Sequence, residues 1–135
     1  MKKLLSTHYN AFSFNAAMLV LRLAMGILMM SHGYDKLVHF SEKKAVFYNF
    51  LNLGSTTSLM LCILAEFFCA LFVAIGLFTR LVTIPLVIVM SIAVFSVHKM
   101  DFFITGETAS LYLAGYLVLL LCGPGRASVD GIASK

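Results

Sequence analysis

Two ionisable side chains interrupt otherwise apolar stretches of this sequence. Arg22 stands within the run from about Phe12 to Gly33, and Glu66 within the run from about Thr57 to Phe78. A charge held at mid-bilayer costs several kcal/mol unless it is paired or hydrated. Opposite charges on successive antiparallel helices are therefore candidates for each other. Counted from the ends that face the same side, Arg22 lies about 10 residues deep and Glu66 about 12, or roughly 15 and 18 Å at the helical rise. That arithmetic predicts an Arg22–Glu66 ion pair between the first two helices. Such a pair is either a clamp on helix register or a polar core that binds a head group or passes a proton. Cys62 and Cys69 fall on the same stripe as Glu66, four residues before it and three after. Two turns apart, near 10 Å, they are too distant for a disulfide. They read as small packing residues, or else as thiols beside a carboxylate.

A second group gathers at helix ends. The first apolar run closes in Ser31-His32-Gly33-Tyr34-Asp35-Lys36, the third in Val97-His98-Lys99-Met100-Asp101, and the fourth begins with Glu107. Here Gly33 either stops the helix or lets a second backbone come close. The pattern predicts one membrane rim carrying His32, Asp35, Lys36, His98, Asp101 and Glu107. Histidines and carboxylates at such a rim can exchange protons with a quinone-like head group. Snorkelling and capping are the plainer reading of the same residues. Histidines and carboxylates are also metal-ligating types, but their spacing matches no closed set, so no metal is assigned. Met25, Met29 and Met30 on the first helix read as flexible gap-fillers. No haem attachment motif and no glycine-rich nucleotide loop, such as a flavin or nicotinamide site uses, is found.

The elements that must hold these residues are set by composition. Of 135 residues, 61% are hydrophobic and 12% charged, and the mean hydropathy is +0.96. Soluble domains carry about 25% charged residues. Half that fraction cannot coat a water-facing surface, which excludes a soluble domain, a disordered chain, a disulfide scaffold and a nucleic-acid reader. The net charge of +4 sits mostly beside apolar runs, as membrane flanks do. Four runs approach the ~20 residues that a transmembrane helix needs, at about 12–33, 57–78, 81–98 and 107–122. The fourth is the shortest, and either starts at a re-entrant bend or tilts little. A single all-α domain over residues 1–135 is expected, an integral membrane four-helix bundle whose main partner is the lipid bilayer.

The turn Gly76-Leu77-Phe78-Thr79-Arg80 forces the second and third helices into a hairpin. Residues 42–51, charged first and aromatic after, suit either a short interfacial helix or a loop. Met1-Lys2-Lys3 followed by apolar residues imitates a signal peptide, but no convincing cleavage site comes after it and none is assigned. Lysine and arginine counts are five (Lys2, Lys3, Arg80, Arg126, Lys135) against four (Lys36, Lys43, Lys44, Lys99). They lean toward both termini on the cytoplasmic side.

Four motifs in order resemble the DoxX family of small bacterial and archaeal membrane proteins, over about Leu19 to Gly131. They are LRLAMGILMMSHGYDKL with Arg22, His32, Gly33 and Lys36; AEFFCALFVAIGLFTRL with Glu66 and the exit Gly76 to Arg80; a third helix ending in His98; and GPGRASVDG with Gly123, Pro124, Gly125, Ser128 and Asp130. The resemblance implies a component of a membrane oxidoreductase system, in the cell (inner) membrane, linked to quinones and oxidative stress. The family supplies no catalytic residue set; the buried charges and the histidine rim, taken with the resemblance, suggest that Glu66 and His32 exchange protons, while Arg22, Lys36 and His98 hold a quinone head group. A soluble redox protein is the expected partner, and a homo-oligomer stays open. The rival readings are a non-enzymatic anchor for soluble redox enzymes and a small transporter or lipid-binding protein.

Overall fold

A computed structural model describes residues 10–134. Helix α1 (Ala11–Val38) opens where the Asn10 side chain accepts a hydrogen bond from the Ser13 amide, which satisfies one of the free donors of the first turn. Helices α2 (Ser55–Ile75) and α3 (Thr79–Val97) form the expected hairpin. Gly76 ends α2 in the left-handed region, at φ 74°, which glycine adopts without steric cost. Helix α4 (Glu107–Cys122) runs without a break, and a short α5 (Val129–Ala133) closes the described chain. No strand occurs among the described residues.

Helices α1 to α3 are each long and apolar enough to cross a membrane. The 16 residues of α4 span about 24 Å, the least of the four. Their outward faces carry apolar side chains: Val20, Ile27, Leu61, Ile88 and Leu117 are all exposed, whereas Arg22 is 3% and Glu66 4% exposed. This inversion of the soluble pattern identifies hydrocarbon as the surrounding medium. Met29, Ala70, Val73, Leu86, Tyr116 and Leu119 fill the centre.

At two places the sequence left alternatives open, and the structure takes one of each for a local cause. Gly33 does not stop α1, which continues to Val38. Its role is the close approach: a Cβ there would lie 2.6 Å from the Phe67 backbone nitrogen of α2. One side of α1 is thus pressed onto the α2 backbone, the small-residue contact that membrane helices favour. The stretch 42–51 does not become an interfacial helix. A single turn, Phe40–Lys43, is followed by turns and a 3-10 turn at Phe50–Asn52. Leu51 and Asn52 have φ of 49° and 58° there, a conformation that no L-residue helix propagates.

The packing at Gly33 generates a first prediction. Gly33→Ala lowers stability in mild detergent by about 1–3 kcal/mol, the cost of overpacking a close contact. The exposed neighbour Ser31→Ala stays within about 0.5 kcal/mol of the parent. Reversible unfolding in mixed micelles measures both.

Candidate functional site

The carboxylate of Glu66 is the centre of the site. It projects from a π-helical segment of α2, Leu64–Cys69, the kind of local widening that recurs at functional positions. Lys36 of α1 donates to Glu66 Oε2 at 2.5 Å. The Cys62 thiol, one turn earlier on α2, donates to Oε1 at 3.3 Å. Both carboxylate oxygens are therefore engaged. Glu66 is almost fully enclosed, while Lys36 is one-fifth exposed, so the lysine stem reaches inward from the rim.

Around this pair lies a cavity of about 180 Å³, lined by His32, Lys36, Glu66, His98, Thr108 and Tyr112 among others. His32 stands one turn before Lys36 on the same face of α1. Its ring meets Tyr112 of α4 edge-on, with centroids 5.7 Å apart. Tyr112 stacks on Tyr116 at 6.1 Å, and the Tyr116 hydroxyl donates to the Met25 carbonyl at 3.0 Å. His98 arrives from the end of α3, just past a second π-helical segment, Ala93–Val97. Four helices thus bring a cation, a carboxylate, two imidazoles and a phenol to one small space at the end of the bundle. Such a set can donate and accept protons and can neutralise an oxyanion.

The predicted Arg22–Glu66 pair does not form. The depth arithmetic assumed that Phe12 and Phe78 lie level. In the structure Gly33 packs on Phe67, and a Cβ on Gly76 would meet the Arg22 guanidinium. Arg22 is therefore level with the end of α2, well removed from Glu66, and the first turns of α1 overhang the α2–α3 hairpin. The C-terminal segment fills this overhang. Arg22 donates through Nε to the Ala74 carbonyl at 3.2 Å, through Nη1 to Pro124 at 2.9 Å and through Nη2 to Ala127 at 2.8 Å. Asp130 of α5 accepts from the Phe78 and Thr79 amides at 2.7 and 2.8 Å. Its own amide donates to the Gly76 carbonyl. Arg22 is thus a clamp, but on the C-terminal segment.

The rim also divides. His32, Lys36 and His98 line the cavity with Glu66. Asp35 turns away to His39 and Lys43. Asp101 accepts from Ile104 and Thr105 within its own loop, and Glu107 stays exposed. The cysteine stripe splits as well: Cys62 reaches Glu66, whereas Cys69 packs in the core. The wider π turn between them shifts the register of the residues downstream. Tyr112 is the site residue that sequence reasoning missed. Thr108, Tyr112 and Tyr116 at four-residue spacing on α4 were the available signal.

A protein-family model described as DoxX matches residues 17–99, which hold Arg22, His32, Lys36, Glu66 and His98. The chain belongs to the DoxX family. Searches of curated proteins and of solved structures give no match. Tyr112 and the C-terminal segment of this DoxX protein lie beyond the matched residues.

The latch at Asp130 generates a pH prediction. Burial pushes the Asp130 carboxyl up, but the Thr79 and Phe78 amides and the Arg22 charge outweigh it and hold it below the usual carboxylate range. A carboxylate lowered in the folded state stabilises above its unfolded pKa, and that contribution is lost as pH falls through the folded one. The melting-temperature gap between the parent protein and Asp130→Asn is therefore constant from about pH 8 to 5 and narrows as pH falls below about 4. Scans in detergent at each pH measure the gap.

Proposed function

We propose that this DoxX protein is a membrane component of an oxidoreductase system, and that the Lys36–Glu66 cavity receives the head group of a quinone-type molecule from the bilayer. One observation carries the reading. Lys36, Glu66, His32, His98 and Tyr112, drawn from four helices, converge on a single cavity between membrane-spanning segments. Drug-sized ligands occupy about 300–1,000 Å³. The 180 Å³ here suits one substituted ring whose tail stays in lipid.

The bound ring would supply two-electron, two-proton redox chemistry. The residues of the chain manage charge and protons around it. The Lys36 ammonium stabilises negative charge on a ligand oxygen, and the low-polarity surroundings strengthen that interaction. Glu66 holds or releases a proton as Lys36 divides its hydrogen bonds between carboxylate and ligand. His32 and His98 line the cavity between Glu66 and the aqueous edge and offer imidazole nitrogens for proton exchange. Tyr112 orients the His32 ring and offers a flat wall. Arg22 is left out of the ligand set, since its donors are committed to main-chain carbonyls. Electrons come from a soluble redox protein that docks at the membrane surface. The protein lies in the cell (inner) membrane with its termini on the cytoplasmic side.

Two measurements test these statements. Protein purified in mild detergent carries a stoichiometric quinone, identified by mass spectrometry of its extract. Glu66→Gln and His32→Ala lower its occupancy at least about ten-fold, which corresponds to roughly 1.4 kcal/mol of lost binding, while Lys44→Gln at the exposed loop retains it. Absence of quinone from the parent protein, with no stabilisation by an added short-chain quinone, overturns the assignment. For orientation, Cys122 is the exposed cysteine, while Cys62 and Cys69 are buried. An impermeant maleimide labels Cys122 in inverted vesicles and not in intact cells, and the reverse pattern refutes the cytoplasmic placement.

A further inference from the structure

At the opposite end of the bundle from Glu66 lies a second, larger cavity of about 910 Å³. The overhang of α1 creates it. Phe14 and Asn15 of α1 form one wall, Phe78 and Leu81 at the α2–α3 turn another, and the C-terminal segment a third. Phe78 is 63% and Leu81 67% exposed. Both sit where membrane-spanning helices end, so the mouth opens sideways toward lipid.

Two arginines line this cavity, Arg80 and Arg126. Arg80 is steadied by one long hydrogen bond, from Nη2 to the Leu121 carbonyl at 3.3 Å. The Arg126 amide donates to Asn15 Oδ1 at 2.7 Å, which pins that residue to α1. Neither guanidinium has an ion-pair partner among the described residues. The carboxylate on the wall, Asp130, is already engaged by two amides and by the charge of Arg22. The cavity therefore presents two guanidinium groups without an ion-pair partner among the described residues, beside apolar walls.

We propose that this cavity binds one anionic phospholipid, with its phosphate between Arg80 and Arg126 and its acyl chains over Phe78 and Leu81. Guanidinium groups match phosphate oxygens in geometry and charge. The volume lies within the ordinary range for ligand sites. Inorganic phosphate satisfies the arginines but leaves the apolar walls bare, which commits the site to an amphiphile. The bound lipid joins the start of α1, the start of α3, the end of α4 and the C-terminal segment, and so reinforces the ties made by Arg22 and Asp130. This site is independent of the Glu66 cavity and of any redox role.

The test uses the full chain in a neutral detergent. Graded phosphatidylglycerol is expected to raise the melting temperature and to slow maleimide labelling of Cys122, which lines the cavity. Phosphatidylcholine with the same chains, and inorganic phosphate, are expected to do neither. Each arginine contributes about five-fold toward anionic lipid, so R80Q/R126Q raises the phosphatidylglycerol concentration needed by about 30-fold. R80K/R126K, which keeps the charge, shifts it only a few-fold. K43Q/K44Q, at the other end of the bundle, responds like the parent. Equal protection by phosphatidylcholine, full protection by phosphate alone, or an unchanged response in R80Q/R126Q overturns the proposal. The Cys122 readout on the parent protein decides it even where a variant folds poorly.

Discussion

A charge surrounded by hydrocarbon must find its counter-charge or its hydrogen-bond acceptors inside the protein. That requirement organises this chain. Glu66 meets it with Lys36 and Cys62, and Arg22 meets it with three main-chain carbonyls. The two solutions lie at different depths and have different consequences. The Arg22 solution ties α1, the end of α2 and the C-terminal segment into one unit. Each of its three nitrogens donates to a main-chain carbonyl, so it holds structure and offers little to a ligand. The Glu66 solution pairs two ionisable side chains beside open space. There the same electrostatic demand leaves groups whose partners can change.

Both polar centres depend on one kind of apolar constraint, the near contact of α1 and α2 at Gly26 and Gly33. It sets the register in which Lys36 reaches Glu66 and Arg22 reaches the end of α2. A bulkier residue at Gly33 moves the helices apart, and both polar centres lose their geometry together. The π-helical turns at Leu64–Cys69 and Ala93–Val97 add a finer adjustment. Each delivers a site residue, Glu66 or His98, toward the α1–α4 face. Helices of regular pitch would place these side chains differently, so backbone regularity is given up at the positions where the site is built.

The two cavities divide the molecule by chemistry. One is small, lined by titratable groups and set between four helices. The other is about five times larger, is flanked by Arg80 and Arg126, and opens toward the bilayer edge. The first suits proton exchange and the second permanent electrostatic attraction.

Much of this was legible in the amino-acid order alone. An apolar majority with few charges dictates a membrane bundle, because only lipid can face such surfaces. Run lengths dictate four helices, and the short Gly76–Arg80 turn dictates the hairpin. His32, Lys36, Glu66 and His98 were also recognisable, since ionisable residues at or within apolar runs are costly and need a reason. Hidden from the sequence was the question of who meets whom. Depth counted from run ends cannot see that α1 overhangs its neighbour, because register is decided by where two backbones can touch and not by where hydrophobicity stops. Those contacts, at Gly26 and Gly33, sent Arg22 to the C-terminal segment and gave Glu66 to Lys36. Tyr112 was hidden for a related reason: an aromatic on a uniformly apolar helix acquires a role only when packing turns it toward a neighbour's imidazole. The chain order thus determined the medium, the elements and the set of charged participants, while tertiary packing alone decided their pairing, because pairing depends on distances between residues far apart in sequence.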